Sequence, residues 1–218
     1  MKYVFLIIGT CLIIFLIAIK RSIQEGFGYD DDPSQFREPK VYPNFITQDD
    51  AKHILKTAEY NYEDSIVVGS KPDGIRKSQT YWLNKDDKVA KKIIQKVCDI
   101  DGYSIDQAED IQVVKYEPNG YYNEHHDSCC DDLAECKEFV KDGQRIVTMV
   151  IYLNDDFEGG ATRFSKINKN FKPKKYSGIL FYPMNKDGVK CHEKSLHAGM
   201  PVTKGEKYIA NVWIREKV

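Results

Sequence analysis

Two side chains in the stretch YEPNGYYNEHHD (116–127), His125 and Asp127, are the residues of this chain best suited to chemistry. On a strand, positions i and i+2 leave the same face, so the imidazole and the carboxylate would project together. One nitrogen and one oxygen ligand on a face, completed by a histidine from elsewhere, make a two-histidine, one-carboxylate set. Such a set holds Fe(II) on three sites and leaves the others open. The pair alone is a weak signal, because His-x-Asp arises by chance on many surfaces. The third ligand could come from His53, His126, His192 or His197. His197, in KSLHAGMPV, lies between strand-like runs near the C-terminus and is the best placed. His53 falls in a helical pattern, His126 alternates to the opposite face from its neighbours, and His192 lies on a loop beside Cys191. Packing or surface roles explain those three most simply.

Positioning such ligands requires a rigid sheet, and the second half of the chain supplies the pattern for one. From residue 111, short apolar or alternating runs separated by turn residues read as strands: IQVVKY, RIVTMVIYLN, ATRFS, SGILFYP, KSLHAGMPV and KYIANVWI. Their close spacing argues for an antiparallel sandwich or barrel. Ahead of them lie two helices. Thr47 with Asp50 three residues on gives a start signal, followed by Ala51, Ile54, Leu55 and Ala58 at helical spacing. A second helix fits 86–98, where Val89, Ile93, Ile94 and Val97 form one stripe. Between them, 64–83 reads as short strands and a loop, with a turn at Pro72-Asp73-Gly74. The whole is an α+β domain whose helices brace one sheet.

Composition sets the outer bounds. At 218 residues the chain can hold one domain with a substantial core, or two small ones. The 32 basic and 33 acidic residues nearly cancel, which argues against nucleic acid as the main partner. Residues 3–19, YVFLIIGTCLIIFLIAI, are uncharged and apolar between Lys2 and Lys20-Arg21. As a helix they would span roughly 26 Å, enough to enter the short end of the membrane-spanning range. No small-x-small cleavage site follows, so an uncleaved anchor over 1–21 is expected in preference to a cleaved signal peptide. Residues 22–40, with their acidic run and Gly and Pro, are expected as a linker or stalk, and 41–218 as the folded domain. Of six cysteines, Cys11 and Cys98 read as buried small hydrophobes. Cys129, Cys130, Cys136 and Cys191 suit a disulfide in an oxidising lumen, pairing open, with a structural zinc as the alternative.

A dicarboxylate co-substrate of the iron would need a cation at its far end. Lys207 stands ten positions after His197. A lysine inside a barrel is costly unless it meets an anion, although one lysine among many is by itself more simply exposed.

Taken in order, YEPNGYYNEHHD, GQRIVTMVIYLN, GGATRFS and SLHAGMPVTKGEKYIANVWI resemble the prolyl 4-hydroxylase branch of the 2-oxoglutarate- and Fe(II)-dependent dioxygenases. The resemblance covers about Tyr116 to Arg215, and more loosely the helical part from about Pro43. It implies a double-stranded β-helix (jelly-roll) core, with Fe(II), 2-oxoglutarate, O2 and L-ascorbate as cofactors. By position it implies His125, Asp127 and His197 as iron ligands. Lys207 would pair with the C5 carboxylate of 2-oxoglutarate, with Tyr116 and Thr162 as hydroxyl donors and Tyr152 and Asn211 in the same region. Tyr122, Arg145 and Trp213 match positions bordering the peptide groove. Gly159-Gly160 would shape the turn before the strand bearing Thr162. The implied reaction hydroxylates peptidyl proline and releases succinate and CO2. The class also favours a single-pass type II orientation with the catalytic domain in the lumen of the secretory pathway. One departure bears on substrate: the cysteine- and acid-rich insert SCCDDLAECKEFVKDG lies where a peptide would approach, unlike the loop of collagen-type enzymes. Peptidyl lysine or a small molecule as substrate, and a membrane-tethered binding module without catalysis, are the rival readings.

Overall fold

The computed structural model describes residues 29–30, 32–66, 74–130 and 137–217. Along the chain, β1 (Tyr29–Asp30), β2 (Lys40–Tyr42) and α1 (Gln48–Ala58) come first. Then follow β3 (Glu63–Asp64), β4 (Arg76–Lys77), β5 (Gln79–Leu83) and α2 (Lys88–Asp101). Strands β6 (Ile111–Tyr116) and β7 (Tyr121–His125) lead to the short α3 (Lys137–Asp142) and the long β8 (Arg145–Tyr152). Next are β9 (Glu158–Gly159), β10 (Thr162–Phe164), β11 (Lys169–Phe171), β12 (Gly178–Phe181) and β13 (Cys191–His192). The last strands are β14 (His197–Gly199), β15 (Val202–Lys204) and β16 (Lys207–Arg215).

Two antiparallel sheets make the core. The larger runs β2-β12-β8-β16-β6-β5-β3 and the smaller β11-β10-β14-β7-β4. Successive core strands alternate between them: β6, β8, β12 and β16 lie in the larger sheet, β7, β10 and β14 in the smaller. That alternation is the expected double-stranded β-helix. One face of the larger sheet, through Val147, Met149, Ile151, Ala210, Val212 and Ile214, packs with Ile54, Ile93, Ile94 and Val97 of the helices. The other face turns Val114, Tyr116, Val150, Tyr152, Ile179 and Ile209 toward Phe164 and the smaller sheet. Burial on both faces explains why IQVVKY and RIVTMVIY are almost continuously apolar rather than alternating.

Both helices begin where their caps dictate. Thr47 and Asp50 form the capping box: Thr47 Oγ1 accepts from the Asp50 amide at 3.1 Å, and Asp50 accepts from the Thr47 amide at 3.0 Å. Lys92 of α2 donates to Asp50 at 2.8 Å, tying the two helices together. Asp87 caps α2 through the amides of Val89 and Ala90, and Gly102, at φ 77°, closes it. The helix therefore starts later and ends later than the 86–98 read from its apolar stripe. Burial of Ile54, Ile93 and Ile94, each at 0% exposure, contributes about 1.5–3 kcal/mol per side chain.

The stretch expected as a stalk departs from that expectation in its second half. Tyr29–Asp30 pairs in parallel with Cys191–His192, and Lys40 pairs with Leu180. The cause is a buried polar group: His192 is fully enclosed, and its Nε2–H finds its acceptor in the Asp32 carbonyl at 3.0 Å. The domain thus opens ahead of Val41. The expected anchor over 1–21, with Cys11, lies outside the described residues, as do Pro72-Asp73 and Cys136. Among the described residues no helix is long and apolar enough to cross a membrane. Of the clustered cysteines, Cys130 and Cys191 are joined, Cys129 is also disulfide-bonded, and Cys98 is a buried free thiol.

Candidate metal centre and active-site cavity

Strand pairing assembles the ligand set. His125 ends β7, His197 opens β14, and the antiparallel register sets the two directly opposite each other. Asp127 follows just beyond the end of β7 and still faces the same way. Ligand atoms of all three lie within 4.8 Å of one another, and all three side chains are buried. His125 Nε2 stands 3.6 Å and His197 Nε2 3.8 Å from Asp127 Oδ1.

Backbone carbonyls fix the tautomers. His125 Nδ1 donates to the Asn123 carbonyl at 2.8 Å and His197 Nδ1 to the Ser195 carbonyl at 3.0 Å. Each ring therefore turns a bare Nε2 lone pair toward the carboxylate, the arrangement that a metal-ligating histidine requires. Asp127 Oδ2 accepts from the Thr148 hydroxyl at 2.7 Å and the Trp213 indole N–H at 3.1 Å, which leaves Oδ1 facing the rings. Burial, reinforced by neighbouring His197, holds His125 well below the usual imidazole pKa. Burial opposes ionisation of Asp127, but His197, His125, Arg145 and the Thr148 hydrogen bond outweigh it and lower its pKa. A neutral imidazole and an ionised carboxylate are the states in which these groups bind a divalent ion. The residues fit iron.

The same cavity, about 200 Å³, is lined by Lys207, Tyr116, Thr162 and Asn211. Alternation along β16 sends Lys207, Ile209, Asn211, Trp213 and Arg215 into it, while Ala210, Val212 and Ile214 go to the helices. Lys207 is 2% exposed and meets no carboxylate among the described residues. Its ammonium instead faces the rings of Tyr116 and Tyr152, at 5.2 and 4.9 Å. Burial, and secondarily Lys172, pulls its pKa down to about 7. A buried cation with no anion, opening on a polar cavity, fits the far carboxylate of 2-oxoglutarate. Thr162 lines the cavity and bonds the Tyr152 hydroxyl at 2.8 Å; Tyr152 itself stands behind it. Asn211 Nδ2 donates to Gln112 at 3.1 Å, leaving its buried Oδ1 without a partner among the described residues.

The expected groove residues line the cavity too. Tyr122 stacks on His125 with ring centroids 3.5 Å apart, and the Arg76 guanidinium lies 4.7 Å from its ring. Arg145 sits 3.6 Å over the Trp213 ring, and its forked pair with Glu109, at 2.6 and 2.8 Å, fixes it there. Trp82 approaches Trp213 from another side, centroids 6.0 Å apart. Ser128, Cys129 and Phe139 of the insert also line the cavity. His126, 3.1 Å from Ser195 Oγ, also lines the cavity, where the sequence had suggested a packing or surface role, and His53 sits on Asp87 at 2.9 Å.

Sequence reasoning missed Thr148, Glu109, Arg76 and Gln112. Parity could have found Thr148, which shares its strand face with Tyr152 in RIVTMVIY. Gln112 likewise shares parity with Tyr116. Glu109 and Arg76 carry no local signal, since only the folded register sets them beside Arg145 and Tyr122.

Comparison with known proteins agrees with this geometry. Residues 111–215 match the family model of the 2OG-Fe(II) oxygenase superfamily. A protein of Acanthamoeba polyphaga mimivirus that carries the name prolyl 4-hydroxylase is 44% identical over 197 residues, covering 90% of this chain and 81% of its own. Prolyl 4-hydroxylase 1 of Arabidopsis thaliana is 31% identical over 199 residues, 81% of this chain and 68% of its own. The crystal structure of the viral collagen prolyl hydroxylase of Paramecium Bursaria Chlorella virus-1, solved with 2OG, aligns with a TM-score of 0.66 at 28% identity, over 83% of this chain and 97% of that one. With its ligand set and these relatives in view, the chain belongs to the prolyl 4-hydroxylase branch of the 2OG-Fe(II) oxygenase superfamily.

Proposed function

We propose that the protein hydroxylates proline in a peptide or protein substrate, using one O2 and one 2-oxoglutarate per turnover and releasing succinate and CO2. The observation that carries the reading is the sharing of one cavity by the His125–Asp127–His197 set and the ammonium of Lys207, which meets no carboxylate among the described residues. Bound there, Fe(II) and 2-oxoglutarate supply the oxygen chemistry: oxidative decarboxylation coupled to conversion of a substrate C–H to C–OH. The chain's own residues bind and orient. His125 and His197 present lone pairs and Asp127 an ionised oxygen. Lys207 neutralises the distant carboxylate of the co-substrate, Tyr116 and Thr162 offer hydroxyl donors beside it, and the unpartnered Asn211 Oδ1 offers an acceptor. Tyr122, Trp213 and the stacked Arg145 give the substrate flat aromatic and guanidinium faces, the surfaces against which proline-rich chains dock.

L-Ascorbate is proposed as the reductant that recovers over-oxidised iron. Residues 1–21 are proposed as a single-pass type II anchor holding the domain in the secretory lumen. The disulfide-bonded Cys130 and Cys191 support an oxidising compartment.

The test is succinate formation by the full chain in detergent with Fe(II), 2-oxoglutarate and ascorbate, with and without a proline-rich peptide. Peptide-dependent turnover that is lost in His197→Ala is the expected result. Turnover indifferent to proline peptides would move the substrate to peptidyl lysine or a small molecule. None at all from folded, iron-loaded protein would leave a binding module.

A further inference from the structure

Asp127 could offer a metal one oxygen or two, and the chain has a device that decides which. Thr148 on β8 and Trp213 on β16 are direct cross-strand partners in the larger sheet. Both donate into the same atom, Asp127 Oδ2, at 2.7 and 3.1 Å. All three side chains are buried, with Thr148 at 1% exposure. The torsion at the end of an aspartate side chain is soft and nearly two-fold, so an unrestrained carboxylate turns either or both oxygens toward a cation. Two donors on Oδ2, one of them from a ring clamped under Arg145, remove that freedom.

We infer that Thr148 and Trp213 are positioning residues that commit Asp127 to the metal through Oδ1 alone. The protein then supplies three donor atoms rather than four, and one more coordination position stays available to exogenous ligands. This assigns Trp213 a task apart from its place beside the groove. The inference rests on reading His125, Asp127 and His197 as a metal site, and not on the identity of the substrate.

Co(II) binding to the full chain in detergent tests it, by calorimetry and by the visible absorption of the bound ion. Thr148→Val keeps shape and removes the donor; Trp213→Phe keeps the ring and removes the N–H. Each is expected to weaken Co(II) binding about 10- to 100-fold and to change the shape of the visible band, with thermal unfolding still cooperative. Thr148→Ser restores the donor and is expected to restore both readouts. Should Thr148→Val not fold, Trp213→Phe carries the comparison alone. Wild-type affinity and an unchanged band in a folded variant would overturn the inference while leaving the metal site standing. Absence of Co(II) binding by the wild type would remove the metal site and the inference together.

Discussion

Lys207 carries the sharpest energetic conflict at the scale of single residues. An ammonium buried to 2% exposure, facing tyrosine rings and no carboxylate among the described residues, destabilises the empty domain. Its replacement by Met is therefore expected to raise the thermal midpoint of the co-substrate-free protein while weakening 2-oxoglutarate binding by about 2–5 kcal/mol, roughly 30-fold or more. The folded pKa, about 7, lies below the usual 10.5. Between these values the unfolded chain binds a proton that the folded chain does not, so this group's contribution to stability rises with pH. The gain from Lys207→Met is accordingly largest below pH 7 and shrinks toward pH 10; melting curves at pH 6 and 9 check it. Binding of a dicarboxylate favours the charged ammonium, so above pH 7 binding takes up a proton and weakens as pH rises. Calorimetry at pH 8 in buffers of different ionisation enthalpy should register that uptake, and Lys207→Arg, charged throughout, should abolish it.

At the scale of elements, the two ligand-bearing stretches are held together twice. Strands β7 and β14 pair in register, and the Cys130–Cys191 bond joins the loop after Asp127 to the strand before His197. With the two cysteines 61 positions apart, loop-closure entropy alone corresponds to about 4 kcal/mol. Cys130→Ser/Cys191→Ser is expected to lower the urea midpoint by up to that stability and to weaken Co(II) binding as well. Thr47→Ala is the contrasting case: loss of the capping box should cost about 1 kcal/mol in the same unfolding experiment without changing metal affinity. A drop in Co(II) affinity for Thr47→Ala would mean that the helices do more than brace the sheet.

For the whole molecule, the sites lie inside the fold's second core, between the sheets, so occupancy and stability are linked. Co(II) with 2-oxoglutarate at about 100 times the dissociation constant should add about 2.7 kcal/mol and raise the thermal midpoint by about 5–10 °C. His197→Ala should lose that shift; a shift that persisted would place the ligands elsewhere.

How much of this was legible in the sequence depends on the range of the interaction involved. Local rules gave the capping box at Thr47, the apolar stripe of α2 and the strand runs, because caps and periodicity act within a few residues. The resemblance of four ordered motifs pointed to His125, Asp127 and His197 as candidate metal ligands and to Lys207, and the fold brings these four into one cavity. Gly159 and Gly160, read from the sequence as shaping a turn, both adopt positive φ, at 71° and 64°, but Gly159 belongs to β9 and pairs with Val202. What only the tertiary structure decided is long-range: which cysteine meets Cys191, that Tyr29–Asp30 and Lys40 pair with strands of the domain, and that Glu109 clamps Arg145. It also decided that Thr148 and Trp213 converge on one oxygen of Asp127. These depend on strand register, where a one-residue slip turns every side chain to the other face, and the whole core sets that register rather than any local stretch of sequence.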